Sequence, residues 1–208
     1  MNSLLLKLLK PFRVCLVCGG LYKATSGLCD FCFHQVRHRA QGYRSTWSPQ
    51  GLPGASLSVS HHYLFRWVAD DLYLDPLVLG LKGGKNVELF EPLSLWFSSI
   101  EQTPGCTMPT LVYPKSASQD HAFYWAQSLS RRFGLSAVPL ELQAGQEKQA
   151  QLSRNRRQLR KFYKKSLRGP VVFVDDVLTT GGTAYGAYKA LNQPKNFAIW
   201  TLFYRPLL

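Results

Sequence analysis

Acidic residues and long apolar runs are what this sequence most clearly lacks. Only 12 of its 208 residues are Asp or Glu, against 25 Lys and Arg, so the formal net charge is +13 at pH 7. So basic a surface suits an anionic partner such as nucleic acid, an anionic membrane face or a phosphorylated small molecule, and general basicity without a partner is the alternative. The 46% apolar and 13% aromatic content excludes a disordered chain and suffices for one sizeable core with a small appendage.

No stretch of the sequence reaches the roughly 20 apolar residues that a membrane span needs. The apolar start of the chain is interrupted by Lys7 and Lys10 and stopped by Pro11, whereas a secretion signal has its positive charge before an unbroken apolar core. We therefore expect a cytoplasmic protein, with a short amphipathic helix over residues 2–10 that packs on the body or contacts a partner.

Two common phosphate-binding motifs are also missing. A Gly-x4-Gly-Lys-Ser/Thr loop is excluded because the only Gly-Lys pair, Gly84-Lys85, has Leu79 where the first Gly is needed and Asn86 where the hydroxyl is needed. The Gly-x-Gly-x2-Gly pattern of dinucleotide-binding proteins does not occur.

Four of the five cysteines lie close together, as Cys15-x2-Cys18-x10-Cys29-x2-Cys32. Each Cys-x2-Cys pair can turn back so that both sulfurs face one point, and two such pairs supply four thiolates to a tetrahedral Zn2+. We predict a structural zinc site with no open position for catalysis; two disulfides in a secreted protein and a redox Cys-x2-Cys are the alternatives. The metal would fold an N-terminal module of residues 1–40, which is too short to build a core alone.

After this module the sequence changes character twice. The stretch 41–56 is rich in Gly, Ser and Pro without periodicity, so we interpret it as a linker to a second domain over 57–208. In that domain strands are predicted over 58–65, 110–113, 135–142, 171–174 and 197–203, and helices over 71–82, 88–100, 120–133 and 183–191. The alternation predicts an α/β domain with a mostly parallel sheet flanked by helices.

The most informative segment is VVFVDDVLTTGGT, where a predicted strand leads to Asp175 and Asp176 and then to a loop of small residues. The loop residues are Thr179, Thr180, Gly181, Gly182 and Thr183. The loop N–H groups, the N-terminus of the next helix and the threonine hydroxyls form a nest for a phosphate, and the carboxylates suit vicinal hydroxyls, directly or through a divalent metal. Since ligands bind beyond the carboxyl ends of strands in such sheets, we predict a ribose 5-phosphate site; a buried strand with a flexible turn is the alternative.

This segment resembles the ribose-phosphate motif of type I phosphoribosyltransferases, and its combination with a four-cysteine module resembles the ComF family of that superfamily. Leu81-Lys82-Gly83-Gly84 stands where the family has a Leu-Lys-Tyr-x-Gly-like element. Val112-Tyr113-Pro114-Lys115 resembles the loop that holds the pyrophosphate of phosphoribosyl pyrophosphate (PRPP), and residues 149–157 resemble the mobile loop that closes over the substrate. The resemblance implies a type I phosphoribosyltransferase-like fold over nearly the whole chain, and PRPP with Mg2+ or a related ribose 5-phosphate ligand.

Two positions depart from the family pattern. Where the family usually has Arg-Gly-Phe-Asn-Gln, this chain has His121-Ala122-Phe123-Tyr124-Trp125, so a His replaces an Arg that can neutralise pyrophosphate. The Asn that commonly follows the Gln-x2-Leu-Ser element has Arg160 as its nearest counterpart. The ribose-phosphate end of the predicted site therefore matches the family better than the pyrophosphate end.

The chemistry that the resemblance implies is transfer of a phosphoribosyl group. Positive charge develops on the ribose and negative charge on the pyrophosphate, so catalysis needs positioning, Mg2+ and nearby cations. The resemblance assigns Asp175 and Asp176 to the ribose or Mg2+ and the loop 179–183 to the 5-phosphate. The cations available for the leaving group are Lys115, Lys82, His121 and Arg157. No acceptor pocket is recognisable in the sequence.

Positive charge is concentrated between residues 148 and 168, where no Asp or Glu occurs. The nine cations of this run are Lys148, Arg154, Arg156, Arg157, Arg160, Lys161, Lys164, Lys165 and Arg168. On a helix from Leu152 onward, those from Arg157 recur at three- and four-residue intervals on one face, with Phe162 and Tyr163 between them. Such a stripe predicts a single-stranded DNA site, with cations on phosphates and aromatic rings on bases; a solvated helix face is the alternative.

Three functions are compatible with these features. The resemblance implies a cytoplasmic role in natural competence, with incoming single-stranded DNA and a helicase-type partner, and we favour PRPP and DNA binding in that role. An active phosphoribosyltransferase without DNA binding is the second hypothesis. The third is a zinc-organised adaptor whose phosphate site is vestigial.

Overall fold

A computed structural model of the chain describes residues 12–23, 27–49, 57–82, 86–100, 108–115, 121–143 and 160–206. The predicted helix over residues 2–10 lies outside these ranges. Among the helices within them, none combines the length and the apolar character that crossing a membrane requires.

The described ranges contain eight strands and five α-helices. The strands are β1 (Phe12–Val14), β2 (Leu21–Lys23), β3 (Tyr43–Trp47), β4 (Val59–Arg66), β5 (Thr110–Lys115), β6 (Ala137–Glu141), β7 (Val171–Leu178) and β8 (Phe197–Tyr204). The helices are α1 (Asp30–Arg39), α2 (Leu74–Leu81), α3 (Phe90–Ile100, after a 3-10 turn over Val87–Leu89), α4 (His121–Phe133) and α5 (Gly182–Ala190). Every strand and helix predicted for residues 57–143 and 171–208 is present.

Strands β3 to β8 form a six-stranded sheet in the order β3-β4-β8-β7-β5-β6. All neighbouring pairs are parallel except β3 with β4. The central strands are apolar on both faces because helices cover both, as parallel sheets require. The prediction of an α/β fold with a mostly parallel sheet flanked by helices is confirmed, and a four-cysteine cluster lies near the N-terminus.

The sheet separates two apolar clusters. The larger one joins Trp200 of β8 to Phe97 of α3 and Trp125 of α4 and extends into the cysteine module. In the smaller one, Ala184 and Ala187 of α5 pack with buried residues of the central strands. Small side chains on α5 allow this helix, which follows the predicted phosphate loop, to lie close to the sheet.

Strand β7 continues past its predicted end at Val174, so Asp175 and Asp176 lie within the strand rather than after it. The pairing with β8 sets Asp175 opposite Thr201 and Leu178 opposite Tyr204. The ladder extends across the two polar residues because β8 supplies a parallel partner along the whole length of β7.

The stretch interpreted as a linker contains a strand of the main sheet. Residues Tyr43–Trp47 pair antiparallel with β4, with Trp47 opposite Val59. Trp47 is buried, whereas Arg44 and Thr46 are exposed. The alternation of exposed and buried residues over this short segment is that of an edge strand with one covered face.

The predicted helix over the basic run is wrong for its described part. Residues 160–170, here called the basic segment, are irregular and extended, and residues 144–159 lie outside the described ranges. An antiparallel bridge joins Phe162 to Leu142, and the N–H of Lys165 donates to the carbonyl of Ala190 over 3.0 Å. Phe162, only 3% exposed, packs into the α5 cluster, and this burial rather than the spacing of the charges sets the path of the segment.

Candidate functional site

Asp175 and Asp176 hold their carboxylates in different surroundings. The N–H of Asp176 donates to Oδ1 of Asp175 over 3.0 Å. Nε2 of His121, the first residue of α4, lies 3.1 Å from Oδ2 of Asp176. The helix that follows β5 therefore supplies an imidazole partner to β7, at one of the positions where the sequence departs from the pattern that it resembles.

The two carboxyl groups differ in pKa. Burial, and after it the neighbouring Asp176, raises the pKa of Asp175 well above its usual value. Burial also opposes ionisation of Asp176, but the hydrogen bond and charge of His121 outweigh it and lower the pKa of Asp176. Asp176 is therefore the more acidic carboxyl of the pair. The oxygen atoms of both can accept hydrogen bonds from the hydroxyls of a vicinal diol.

The loop after β7 brings its small residues to the N-terminus of α5. Gly181, the residue before this helix, has φ +76°, a conformation that suits glycine. A Cβ at Gly181 would overlap the indole ring of Trp47 on β3. Thr179, Thr180 and Thr183 are half-buried around it. Free N–H groups of the first helical turn and these hydroxyls can bind a phosphate.

Trp47 is a residue of the candidate site that sequence reasoning missed, because it lies in the stretch interpreted as a linker. The sequence does carry a signal for a strand here, because Tyr43, Ser45 and Trp47 alternate with Arg44 and Thr46. The contact with Gly181, however, depends on the fold and could not be read from the sequence.

The residues that resemble the pyrophosphate loop lie at the carboxyl end of β5, next to β7 in the sheet. Tyr113 and Pro114 are buried, and the ring of Tyr113 packs on Phe123 of α4. Lys115 is exposed, and its Nζ lies 2.9 Å from Oε1 of Glu141 on β6. The three residues thus lie at the same carboxyl end of the parallel strands as the acidic pair. The ammonium group of Lys115 is paired with Glu141 of β6.

Lys82 lies at the C-terminal end of α2 and is exposed. It sits close to the cysteine module, because Gly80 of α2 is so near Leu16 that an added Cβ would overlap that side chain. The residues after it, 83–85, are outside the described ranges.

The basic segment divides its cations between two environments. Arg160 and Lys165 are half-buried, and Nζ of Lys165 donates to the carbonyl of Pro139 over 3.1 Å. The exposed cations are Lys161, Lys164 and Arg168, and exposed Tyr163 lies among them. Phe162 is buried and cannot stack on a base. The prediction that the rings of Phe162 and Tyr163 stack on bases is therefore wrong for Phe162. Arg154 and Arg157 lie outside the described residues.

The four cysteines form one cluster. Their sulfur atoms all lie within 4.8 Å of one another, and the Sγ atoms of Cys18 and Cys29 are 3.8 Å apart. Zn–S bonds of about 2.3 Å in a tetrahedron give sulfur–sulfur distances of about 3.8 Å, so the cluster fits a tetrahedral ion such as zinc. Cys15 and Cys32 are buried, which shields the centre.

Backbone N–H groups favour a thiolate at Cys15. Burial opposes ionisation there, but backbone hydrogen bonds, first those of Cys18 and Cys29, lower the pKa of Cys15 to about 6. The N–H of Cys29 donates to its sulfur over 3.4 Å. Burial raises the pKa of Cys32 instead, so the grouping of the four sulfur atoms, rather than their acidity, supports metal binding by the cluster.

The cysteine module docks on the main domain through several contacts. Arg13 and Glu88 form an ion pair of 2.6 Å, and the rings of Phe33 and Trp96 meet at 5.0 Å. Cys15 and Cys32 belong to the same apolar cluster as the α3 and α4 residues. The module is thus continuous with the main core.

The chain matches no protein-family model and no curated protein. Among solved structures, one adenine phosphoribosyltransferase is similar over 83% of this chain and 89% of its own, with 13% identity and a TM-score of 0.36. Another, from Thermoanaerobacter pseudethanolicus, is similar over 82% of this chain and 98% of its own, with 15% identity and a TM-score of 0.40. The name adenine phosphoribosyltransferase describes those proteins.

Proposed function

We propose that this protein binds PRPP or a related ribose 5-phosphate ligand between the carboxyl end of β7 and the N-terminus of α5. One observation carries the proposal: two neighbouring carboxylates, one of them beside His121, stand two residues before a threonine and glycine loop that leads into the N-terminus of a helix. The loop and helix N-terminus offer hydrogen-bond donors for a phosphate, and the carboxylates offer partners for adjacent hydroxyls.

The roles of the residues follow from their charge. Asp176, the more acidic of the pair beside His121, accepts a hydrogen bond from one ribose hydroxyl, and Asp175 accepts one from the next. Their oxygen atoms also fit Mg2+, which would supply positive charge to the pyrophosphate when bound. The imidazole of His121 lies next to the pair on the α4 side and is a cation there when it is protonated.

We extend the proposal to single-stranded DNA bound along the basic segment, as part of DNA uptake in natural competence. Support comes from the exposed Lys161, Lys164 and Arg168 around Tyr163, whose side chain is 54% exposed. Cations of this kind bind the phosphodiester backbone, and an exposed tyrosine ring stacks on bases of any sequence.

An active phosphoribosyltransferase is the second candidate. The observation that favours it is the ionised Asp176 with a neighbouring imidazole, because transfer of the phosphoribosyl group needs a positioned ribose and cations at the leaving group. Release of pyrophosphate from PRPP would distinguish this enzyme from a binding protein.

The ligand site is tested by calorimetry of the zinc-loaded protein with PRPP and Mg2+. We expect saturable binding by the wild type, and its loss in the double variant Asp175→Asn, Asp176→Asn, since amides carry no charge for the diol or the metal. The matched control is Asp70→Asn, which changes an exposed Asp whose φ of 67° suits Asn equally well. Circular dichroism checks the fold of each variant. Absence of binding by the folded wild type would overturn the proposal.

A further inference from the structure

Backbone hydrogen bonds fix the start of the basic segment on the main sheet. The carbonyl of Lys161 accepts a hydrogen bond of 3.0 Å from the N–H of Gln143, and the N–H of Tyr163 donates to the backbone carbonyl of Glu141 over 3.0 Å. These bonds attach the segment to the carboxyl end of β6, where Lys115 of β5 also lies. Burial of Phe162 between them holds the segment down.

Arg160 itself is fixed on α5. A Cβ at Gly186 would overlap the carbonyl group of Arg160, so the backbone of Arg160 lies directly against this helix. Gly186 is about one turn after Gly182, where α5 begins behind the phosphate loop. Arg160 is half-buried, in contrast to the exposed Lys161 and Lys164.

Asp175 lies on the face of the sheet that α5 covers. Side chains alternate along β7, and Val171 and Phe173 pack in the cluster that contains α5, so Asp175, two residues further on, is on the same face as Arg160. Burial is the main reason why the pKa of Asp175 is raised, and the positive charges of His121 and Arg160 oppose that shift. Two cations therefore approach the pair by different routes. His121 comes from the start of α4, and Arg160 comes from the segment packed on α5.

We propose that Arg160 is a ligand-binding residue of this site and that its guanidinium binds the pyrophosphate group of PRPP beside the ribose held by Asp175. This proposal rests on the proposed PRPP function. The 5-phosphate occupies the loop at the start of α5, so the anionic group left for a cation next to Asp175 is the one on C1 of the ribose. A planar guanidinium with several donors suits a diphosphate, and it balances the acidic pair when no ligand is present.

The assignment gives Arg160 a role different from that of its exposed neighbours Lys161 and Lys164. Arg160 consequently belongs to the small-molecule site and not to the DNA-binding surface.

The test compares Arg160→Gln and Arg160→Lys with the wild type by calorimetry, with PRPP and ribose 5-phosphate as separate probes in the presence of Mg2+. We expect Arg160→Gln to weaken PRPP binding about tenfold or more and to change ribose 5-phosphate binding less than about twofold. Arg160→Lys should recover part of the PRPP affinity. The control Lys195→Gln removes an exposed cation before β8 and should leave both affinities unchanged.

The outcomes separate this inference from the function on which it rests. If the wild type binds neither probe, the proposed function fails. If the wild type binds PRPP and Arg160→Gln binds it equally well, only the assignment of Arg160 is wrong. If Arg160→Gln weakens the binding of both probes equally, the assignment of Arg160 is also wrong, because the residue would then support the fold of the site. Arg160→Gln should bind labelled single-stranded DNA as tightly as the wild type, and a loss there would return Arg160 to the DNA surface.

Discussion

The indole ring of Trp47 packs directly on Gly181, so an edge strand of the sheet contacts the loop that precedes α5. Trp47 is 3% exposed and belongs to the apolar cluster that contains Ala184 of α5. Gly181 has φ +76°, so both its backbone conformation and its lack of a side chain are needed at this contact. The contact makes β3 part of the candidate phosphate site.

Gly181→Ala is expected to destabilise the protein and to weaken PRPP binding. The positive φ costs a residue with a Cβ about 1–2 kcal/mol, and overlap with Trp47 adds about 1–3 kcal/mol or displaces the loop. Thermal unfolding measures the first effect, and calorimetry with PRPP measures the second.

Gly134→Ala is the matched control for this substitution. Gly134 has φ +66° but nothing within 4 Å of an added Cβ, so it carries the backbone cost alone. We expect a smaller loss of stability there and unchanged PRPP affinity. Equal effects of the two substitutions on both measurements would show that the Trp47 contact does not shape the loop.

Metal removal is expected to destabilise the whole chain rather than only its N-terminal module. Cys15 and Cys32 share an apolar cluster with residues of α3 and α4, so loss of the metal exposes part of the main core. Reduced, unchelated protein should contain one zinc per chain by elemental analysis, and Cys32→Ser should lower both the zinc content and the melting temperature.

Cys106→Ser is the control for the metal site, because it changes the fifth cysteine of the sequence, outside the proposed ligand set. It should keep the full zinc content. Well under one zinc in the reduced wild type would contradict the assignment, as would a chelated protein with an unchanged melting curve.

Binding of single-stranded DNA is expected to depend steeply on salt. Each phosphate neutralised on a single strand contributes about −0.7 to the slope of log affinity against log salt. The double variant Lys164→Gln, Arg168→Gln should therefore lose about 1.4 of the slope, because both side chains are exposed on the basic segment. Fluorescence anisotropy with labelled oligothymidylate measures the slope.

Tyr163→Ala tests the stacking contact in the same assay. It should cost about 1–3 kcal/mol of binding free energy without changing the salt slope, because it removes a ring and no charge. Lys195→Gln, an exposed cation outside the segment, should change neither quantity. If the variants of the basic segment keep the salt slope and the affinity of the wild type, the basic segment is not a DNA-binding surface.

Local patterns predicted much of the fold. The strands and helices of residues 57–208 follow from short apolar runs alternating with helical spacing, and the cysteine cluster follows from two close pairs. Asp175, Asp176 and the loop to Thr183 were identifiable because their chemistry is contiguous in the chain. The residues that complete the site around them come from distant segments.

The basic run shows where local patterns fail. Charges at helical spacing predicted a helix, yet charged side chains gain nothing specific from that geometry, whereas burial of Phe162 holds the segment extended against β6 and α5. The same burial turns Arg160 inward and leaves Lys161 exposed, although the two are adjacent in sequence.

The sequence by itself determined the α/β alternation, the thiolate cluster and the acidic strand with its glycine and threonine loop, because each depends on neighbouring residues. Only the tertiary structure decided that Trp47 covers Gly181, that His121 meets Asp176, and that Arg160 lies on Gly186. These contacts join segments far apart in the chain, and they form because pairing of the strands and exclusion of water from two apolar faces bring those segments together.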